Sequence, residues 1–468
     1  MNAVVLWPCP SAATTSPGGI QWRTTVRSPS ALWVTCFLAF HVGLALLMRA
    51  EPWIATAHAL ATIVLGLIWV GLSHGSERTA FLAAYVTGSE VLWRMAGAEV
   101  FWEYAKYAVV LLFAFALLRG GRWKPPLLPL IYFILLVPSA TLTLAAENPS
   151  DARQAISFNL SGPLALMFSV WFFSRVRIPS RQLQRLLVFL LGPIAGVASI
   201  AVINTLEASS IAFGRSSNFI TSGGFGPNQV SAVLGLAVLA SAYYLLDDTV
   251  RKLIKLIMVI GLFVFATQSA LTFSRGGLYV TAGAVILALP VILRSARLRS
   301  RLIVSALVFP IVVSYLIVPR LEAFTGGSLL SRFRNLETTG RDRIVMADIQ
   351  IWQDNLLLGT GPGEAETARE EFFRGNAAHT EFSRLLAEHG LLGLSALLAL
   401  LLMGLRVPWR TGSTTGRALA TMFLGWSFLY MAVNAMRLVA PAFVFGLACS
   451  GLLEDPPTEK GDSRFGHR

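Results

Sequence analysis

Arg215, Arg275 and His379 are the residues whose type and surroundings could do chemistry. Arg275 sits in Phe273-Ser-Arg-Gly-Gly277, between two apolar runs with almost no loop to carry it into water. A charge held at such a boundary is costly and is a functional candidate by default; the competing reading is a snorkelling side chain that meets lipid phosphate. Arg215 precedes the Gly-rich turn Thr221-Ser-Gly-Gly-Phe-Gly-Pro-Asn228. Two guanidinium forks on one side of a helix bundle suit a diphosphate, because each grips phosphate oxygens in pairs and never loses its charge. His379 ends a long polar connection and starts an apolar helix, and a neutral imidazole there could take a proton from a hydroxyl near pH 7. His389, ten residues on, reads as packing. Asp348, Asp354 and Glu381 could orient a base or an arginine, although on a water-facing helix a carboxylate is more often plain solvation.

The elements that must position these residues are membrane helices. Of 468 residues, 55% are hydrophobic and 13% charged, more apolar surface than a soluble core can hide. Runs such as Ala31–Met48, Trp53–Ser73, Leu127–Ala145, Ser231–Leu246 and Leu302–Val318 are long enough to cross a hydrocarbon layer of about 30 Å. The fold class predicted is all-α, a polytopic bundle of about 12–14 spans with one large helical loop. The net charge of +13 is concentrated in short connections near 119–126, 175–185, 247–255, 294–301 and 406–417, which by the positive-inside rule face the cytoplasm.

The divisions expected are a disordered tail over 1–30, a transmembrane bundle over 31–318, an extracytoplasmic catalytic loop over 319–383, C-terminal membrane helices over 384–453 and a cytoplasmic tail over 454–468. Spans are drawn near 31–48, 53–73, 100–118, 127–145, 157–174, 186–205, 229–246, 253–272, 276–294, 302–318, 384–405, 417–434 and 437–453. This set leaves the N-terminus on the wrong side for Arg23 and Arg27. A polar crossing near 79–97 repairs the parity, at about 3 kcal/mol each for Glu90 and Arg94 in mid-span.

The 319–383 connection is net negative and far longer than its neighbours, as functional loops often are. Within it, Arg341–Leu358 places Ile344, Ala347, Ile351, Asn355 and Leu358 on one helical face, with Thr338 or Thr339 as cap. Gly359-Thr-Gly-Pro-Gly363 stops that helix; an anion-binding amide nest is the alternative reading of the turn. The cysteines, Cys9, Cys36 and Cys449, are too scattered for a disulfide framework or metal site. No Walker loop, HExxH site or GxSxG elbow occurs.

Arg215 before Gly223-Gly-Phe-Gly-Pro-Asn228, then Ser274-Arg-Gly-Gly277, then Gly340-Arg-Asp-Arg343 leading to Leu358-Gly-Thr-Gly-Pro-Gly363, then His379 before a span, resembles the O-antigen ligase and polymerase family of bacterial envelope enzymes. The likeness covers roughly residues 200–405. The ligase signature is His, then Asn, Ser or Gln, then nine residues and Gly-x-x-Gly; here it reads His379-Thr380, nine residues, Gly390-Leu-Leu-Gly393, with Thr380 outside the usual set. The resemblance implies transfer of a glycan from a polyprenyl diphosphate to an acceptor sugar hydroxyl, at the outer face of the bacterial inner membrane. Its partners would be the lipid-linked glycan donor, a glycan or lipid A–core acceptor and membrane lipids, with no nucleic acid and no cofactor or metal. His379 would be the base and Arg275 and Arg215 the catalytic diphosphate stabilisers, with Arg341, Arg343 and Asn228 binding substrate. Ligase and polymerase share this chemistry and both stay open. A polysaccharide flippase is the alternative of another class; it predicts repeats with broken helices in matching positions, and the sequence has no such repeat.

Overall fold

The computed structural model describes residues 20–22, 28–72, 76–120, 123–214, 216–335, 340–370, 379–409 and 411–453. Among the described residues the chain is all-helical apart from one small parallel sheet. It opens with α1 (Ala31–Ala50), α2 (Pro52–Gly71), α3 (Glu77–Met95) and α4 (Tyr104–Arg119), followed by the short α5 (Leu127–Ile134) and α6 (Ala140–Ala146). Long helices α7 (Pro149–Phe173), α8 (Ser180–Glu207), α9 (Pro227–Leu246), α10 (Lys252–Leu271), α11 (Arg275–Ile292) and α12 (Ala296–Val312) follow. Then come α13 (Val318–Phe324), α14 (Ser328–Arg334), α15 (Arg341–Asp354), α16 (Glu364–Arg369), α17 (Glu381–Arg406), α18 (Thr414–Asn434) and α19 (Ala440–Ala448). Among the described residues nine helices are long and apolar enough to cross a membrane.

All five basic connections lie at one end of the bundle. Arg175 donates to the Gly120 carbonyl, Gln184 to Asp247, and Arg301 to the Leu246 carbonyl. Strands β1 (Ile20–Gln21), β2 (Val176–Ile178) and β3 (Gly451–Leu452) pair side by side on the same end, and the Gly416 turn packs on Leu452. The polar crossing suggested by parity exists as α3, whose end ties it to the opposite face, where Arg94 reaches Gln229 and the Arg437 carbonyl. Its charges are not left in lipid: Glu90 and Arg94 pair at 2.7 Å, and each is nearly buried against protein. The chain at Ile20–Gln21 thus lies on the basic face, where the charge rule puts it.

The structure corrects several drawn spans. Leu127–Ala145 is broken into α5 and α6, because Pro138 lacks an N–H and disfavours helix in the residue before it. The span near 437–453 shrinks to the nine-residue α19. The loop start drawn at 319 falls inside a continuous apolar helix, Ala296–Phe324, that passes through a π-helical turn at Val313–Ile317. Helix α15 stops at Asp354, so Ile344, Ala347 and Ile351 are buried as expected while Asn355 and Leu358 are exposed. The cap positions named for it, Thr338 and Thr339, lie outside the described residues, as do Cys9 and most of the 1–30 and 454–468 segments.

Helix α17 is itself broken, and the break explains the Gly-rich turn. Gly390 takes φ 60°, ψ −136°, which frees carbonyls of the preceding turn. The Thr360 and Gly361 N–H groups satisfy the Ala387 and Glu388 carbonyls at 3.0 Å, and Leu391 N–H donates to the Leu356 carbonyl at 2.7 Å. Those amides therefore hold the backbone of α17, and since α15 already ends at Asp354 the Gly359–Gly363 turn is a docking turn for α17 rather than the stop of α15. A Cβ on Gly390 would lie 2.5 Å from the Leu356 oxygen, at a φ that side chains rarely adopt. Gly390→Ala is expected to lower stability by about 1–3 kcal/mol, read as a depressed melting temperature of the detergent-solubilised protein; an unchanged melt would refute the docked break.

Candidate active site

The face opposite the basic loops gathers residues from five parts of the chain, and each is brought there by its own backbone. The Ser274-Arg275-Gly276-Gly277 turn follows Phe273, a non-glycine residue at φ 56°. It is stitched to α9: the Ser231 hydroxyl donates to the Ser274 carbonyl at 2.8 Å and accepts from Gly277 N–H at 3.2 Å, and the Ser274 hydroxyl donates to Asn228 Oδ1 at 2.7 Å. Gly277 permits this, since any Cβ there would overlap the Ser231 carbonyl. Arg275 thus leaves the start of α11 in a fixed direction, and its guanidinium donates to the Asn335 carbonyl. Asn228, expected to bind substrate, spends its carbonyl oxygen on positioning this turn.

Arg332 on α14 arches over the same turn, its Nε donating to the Phe273 carbonyl at 3.0 Å, while Tyr279 donates to the Phe333 carbonyl at 2.9 Å. Arg341 begins α15 and points inward, whereas Arg343 is exposed to solvent. The fourth arginine is Arg437, in the connection between α18 and α19. This connection begins at Ala435, at φ 50° and ψ −165°, and is held by two buried carboxylates: Glu381 accepts Met436 N–H at 3.1 Å and Glu90 accepts Val439 N–H at 2.7 Å. Arg94 completes the grip by donating to the Arg437 carbonyl at 3.3 Å.

These charges feel one another. Burial, then the neighbouring Arg275, Arg332 and Arg437 charges, lower the Arg341 pKa from its ordinary value. Burial, then Arg275, does the same to Arg332. A guanidinium does not deprotonate at physiological pH, so these groups stay charged and an anion is the chemistry that would offset their field.

His379 stands in this field, half-buried at the mouth of α17. Burial first, then the Arg341, Arg437 and Arg369 charges, hold its imidazole at about 4. It is neutral at pH 7 and so has a lone pair to accept a proton. Thr380 beside it caps α17, its hydroxyl accepting Phe382 N–H at 3.2 Å. The residue that departs from the usual ligase pattern thus does the work that Asn or Ser does at a helix start.

Carboxylates read as solvation turn out to be structural. Asp348 is fully buried, ion-paired with Arg369 and accepting the Ser383 hydroxyl, which staples α15 and α16 to α17. Glu381 is fully buried against Arg384, which also reaches Glu388 at 2.6 Å and Asn159 Oδ1 at 3.0 Å. Asp354 is exposed, as solvation predicts. His389 is packed inside, hydrogen-bonded through Nδ1 to Ser139. Arg215 lies outside the described residues; three positions on, Asn218 N–H donates to the Thr272 carbonyl at 2.8 Å, tying that connection to the Arg275 turn.

The structure therefore brings together Arg275, Arg341 and His379 from the sequence reading, and adds Arg332, Arg369 and Arg437. The last had a signal: like Arg275, it sits between two apolar runs with scarcely any loop.

Residues 260–398 match the family model described as O-antigen ligase, which takes in Arg275, Arg332, Arg341, Arg369 and His379 and leaves out Asn228 and Arg437. No curated protein matches the chain.

The field around His379 is testable by NMR of 13C-histidine protein, with His379→Asn assigning the resonance. The expected midpoint is near 4. Arg341→Gln, or added inorganic pyrophosphate, removes positive field that disfavours the imidazolium and so raises the midpoint. A midpoint at the ordinary histidine value of about 6.5 that neither change moves would contradict the arrangement.

Proposed function

Taking the chain as a membrane protein of the O-antigen ligase family, whose domain occupies residues 260–398 and whose members are membrane glycosyltransferases, we propose that it transfers a glycan from a polyprenyl diphosphate to an acceptor sugar hydroxyl. The observation that carries this reading is a neutral, half-buried His379 set in a field of arginines at the mouth of a helix bundle. By the positive-inside rule the basic face is cytoplasmic, so the site opens outward from the bacterial inner membrane, and the 325–380 connection supplies most of the catalytic loop.

The chemistry follows from where charge moves. His379 takes the acceptor hydroxyl's proton as that oxygen attacks the anomeric carbon, and the bond from this carbon to the diphosphate breaks with its electron pair going to the phosphate oxygen. Attack opposite the leaving group inverts the anomeric centre. The leaving diphosphate gathers negative charge, which Arg275 and Arg341, supported by Arg332 and Arg437, are aimed to stabilise, with Arg215 a further candidate from the adjoining connection. Arrival of the diphosphate also offsets the field on His379, so the imidazole's affinity for a proton rises as the donor docks. Arginines can supply the electrostatics alone, and the mechanism proposed needs no metal.

Ligase transfer to a lipid A–core sugar is the favoured form. Polymerisation onto a second lipid-linked chain uses the same steps, and product length separates the two.

In proteoliposomes holding the lipid-linked donor and acceptor, with chelator throughout, wild type should release glycan from its carrier. Arg275→Ala and His379→Ala should each slow this by about a hundredfold or more. Chelator-sensitive turnover would overturn the metal-free mechanism. Intact donor in every reaction, with unimpeded movement of donor across the bilayer, would replace the enzyme by a transporter.

A further inference from the structure

His379 has two sides. On the first, Arg341 belongs with Arg275 and Arg332 to a set of mutually repelling charges. On the second lies a recess, open at its mouth, lined by Phe158, Asn159, Glu366, Arg369, Glu388 and Arg437. Arg369 and Arg437 are among the charges that act on His379, so the recess adjoins the base.

The two sides differ in charge balance. Around the recess each guanidinium has carboxylate company: Arg369 pairs with Asp348, Arg384 lies between Glu381 and Glu388, and Arg437 feels Glu366. The recess thus mixes cationic donors with anionic acceptors, beside the ring of Phe158. One donor on its wall is left over. Arg369 is 2% exposed and its Nη1 is on Asp348, yet its Nε has no acceptor among the described residues. Burying such a group without a partner is unfavourable, and a hydroxyl oxygen would satisfy it. The Arg437 connection that forms another wall starts at the strained Ala435, and backbone held in such a conformation clusters at functional sites.

We infer that this recess is the acceptor subsite, and that it takes the terminal ring of an uncharged sugar. Each sugar hydroxyl is both donor and acceptor, which matches walls that offer both. The guanidiniums of the recess are matched by Glu366, Glu381 and Glu388, so a phosphorylated or acidic ring gains no net attraction there, whereas the arginines across His379 suit the diphosphate of the donor. The base then lies between the two substrates, within reach of the hydroxyl on one side and of the anomeric carbon on the other. Arg437 borders both and fixes their separation. This inference rests on the proposed glycan transfer.

The test is steady-state transfer by the full chain in proteoliposomes, with lipid A–core glycolipid or a second lipid-linked glycan as acceptor, for wild type, Glu366→Gln and Phe158→Leu. Glu366 is on the surface of α16, so its substitution leaves the fold intact. The acceptor KM should rise about tenfold in at least one variant while donor KM stays within roughly twofold and kcat within roughly threefold. A raised donor KM, or an acceptor KM unchanged in both variants, would overturn the subsite and leave the transfer reading standing. No transfer by wild type with either acceptor would overturn the transfer reading itself, and the subsite with it. An acceptor glycolipid bearing a phosphate on its terminal ring should react at least about tenfold less efficiently; equal use would overturn the claim that the ring is uncharged.

Discussion

Guanidinium groups repel one another, so an arginine cluster exists only where something else holds the backbone that carries each member. In this chain the holding is done mainly by buried carboxylates and hydroxyls that bind main chain or structural arginines. Glu90 and Glu381 take the N–H groups on either side of Arg437. Asp348 anchors α15, and with it Arg341, to α17 through Arg369 and Ser383. Ser231 and Asn228 fix the turn that presents Arg275. Removing one partner of such a buried set leaves an unpaired charge and costs about 3–5 kcal/mol.

The same logic accounts for backbone that membranes otherwise forbid. Non-helical peptide groups at membrane depth persist only where protein satisfies them. The break between α5 and α6 and the break at Gly390 meet each other: Ser139 bonds His389, Thr143 donates to the Pro362 carbonyl at 3.1 Å, and the Gly359–Gly363 turn caps the carbonyls freed in α17. The spacing from His379 to Gly390 is thus the length of helix between that histidine and the point where the large connection docks. Phe273 and Ala435, the non-glycine residues forced to positive φ just before Arg275 and Arg437, mark the two turns where direction of a charge outweighs backbone comfort.

Much of this could be read from the residues. His379 and Arg275 stood out because each is a costly or titratable group at an element boundary, Arg341 entered through the resemblance, and charge parity pointed to α3. What could not be read is tertiary. Asp348 and Glu381 lie on helices whose outer faces are polar, and periodicity does not reveal that the bundle mouth closes over those particular positions. Arg332 and Arg369 belong to no run or spacing; they enter because α14 and α16 fold back onto the Phe273 turn and onto Asp348. Arg437 was legible by the rule applied to Arg275 but was masked by drawing one long apolar span over α19. Hydropathy averaged across Leu127–Ala145 likewise hid Pro138, whose missing N–H decides the local structure.

The central claim is that the arginines borne by these clamped turns receive one diphosphate beside His379. Its most direct test is a cryo-electron microscopy structure of the chain in nanodiscs with a non-transferable polyprenyl diphosphate glycan analogue. The account predicts phosphate oxygens within hydrogen-bond reach, about 3 Å, of the Arg275 and Arg341 guanidiniums, with the anomeric carbon turned toward His379. A diphosphate seated on the basic face, or a headgroup that leaves this cluster untouched, would contradict it.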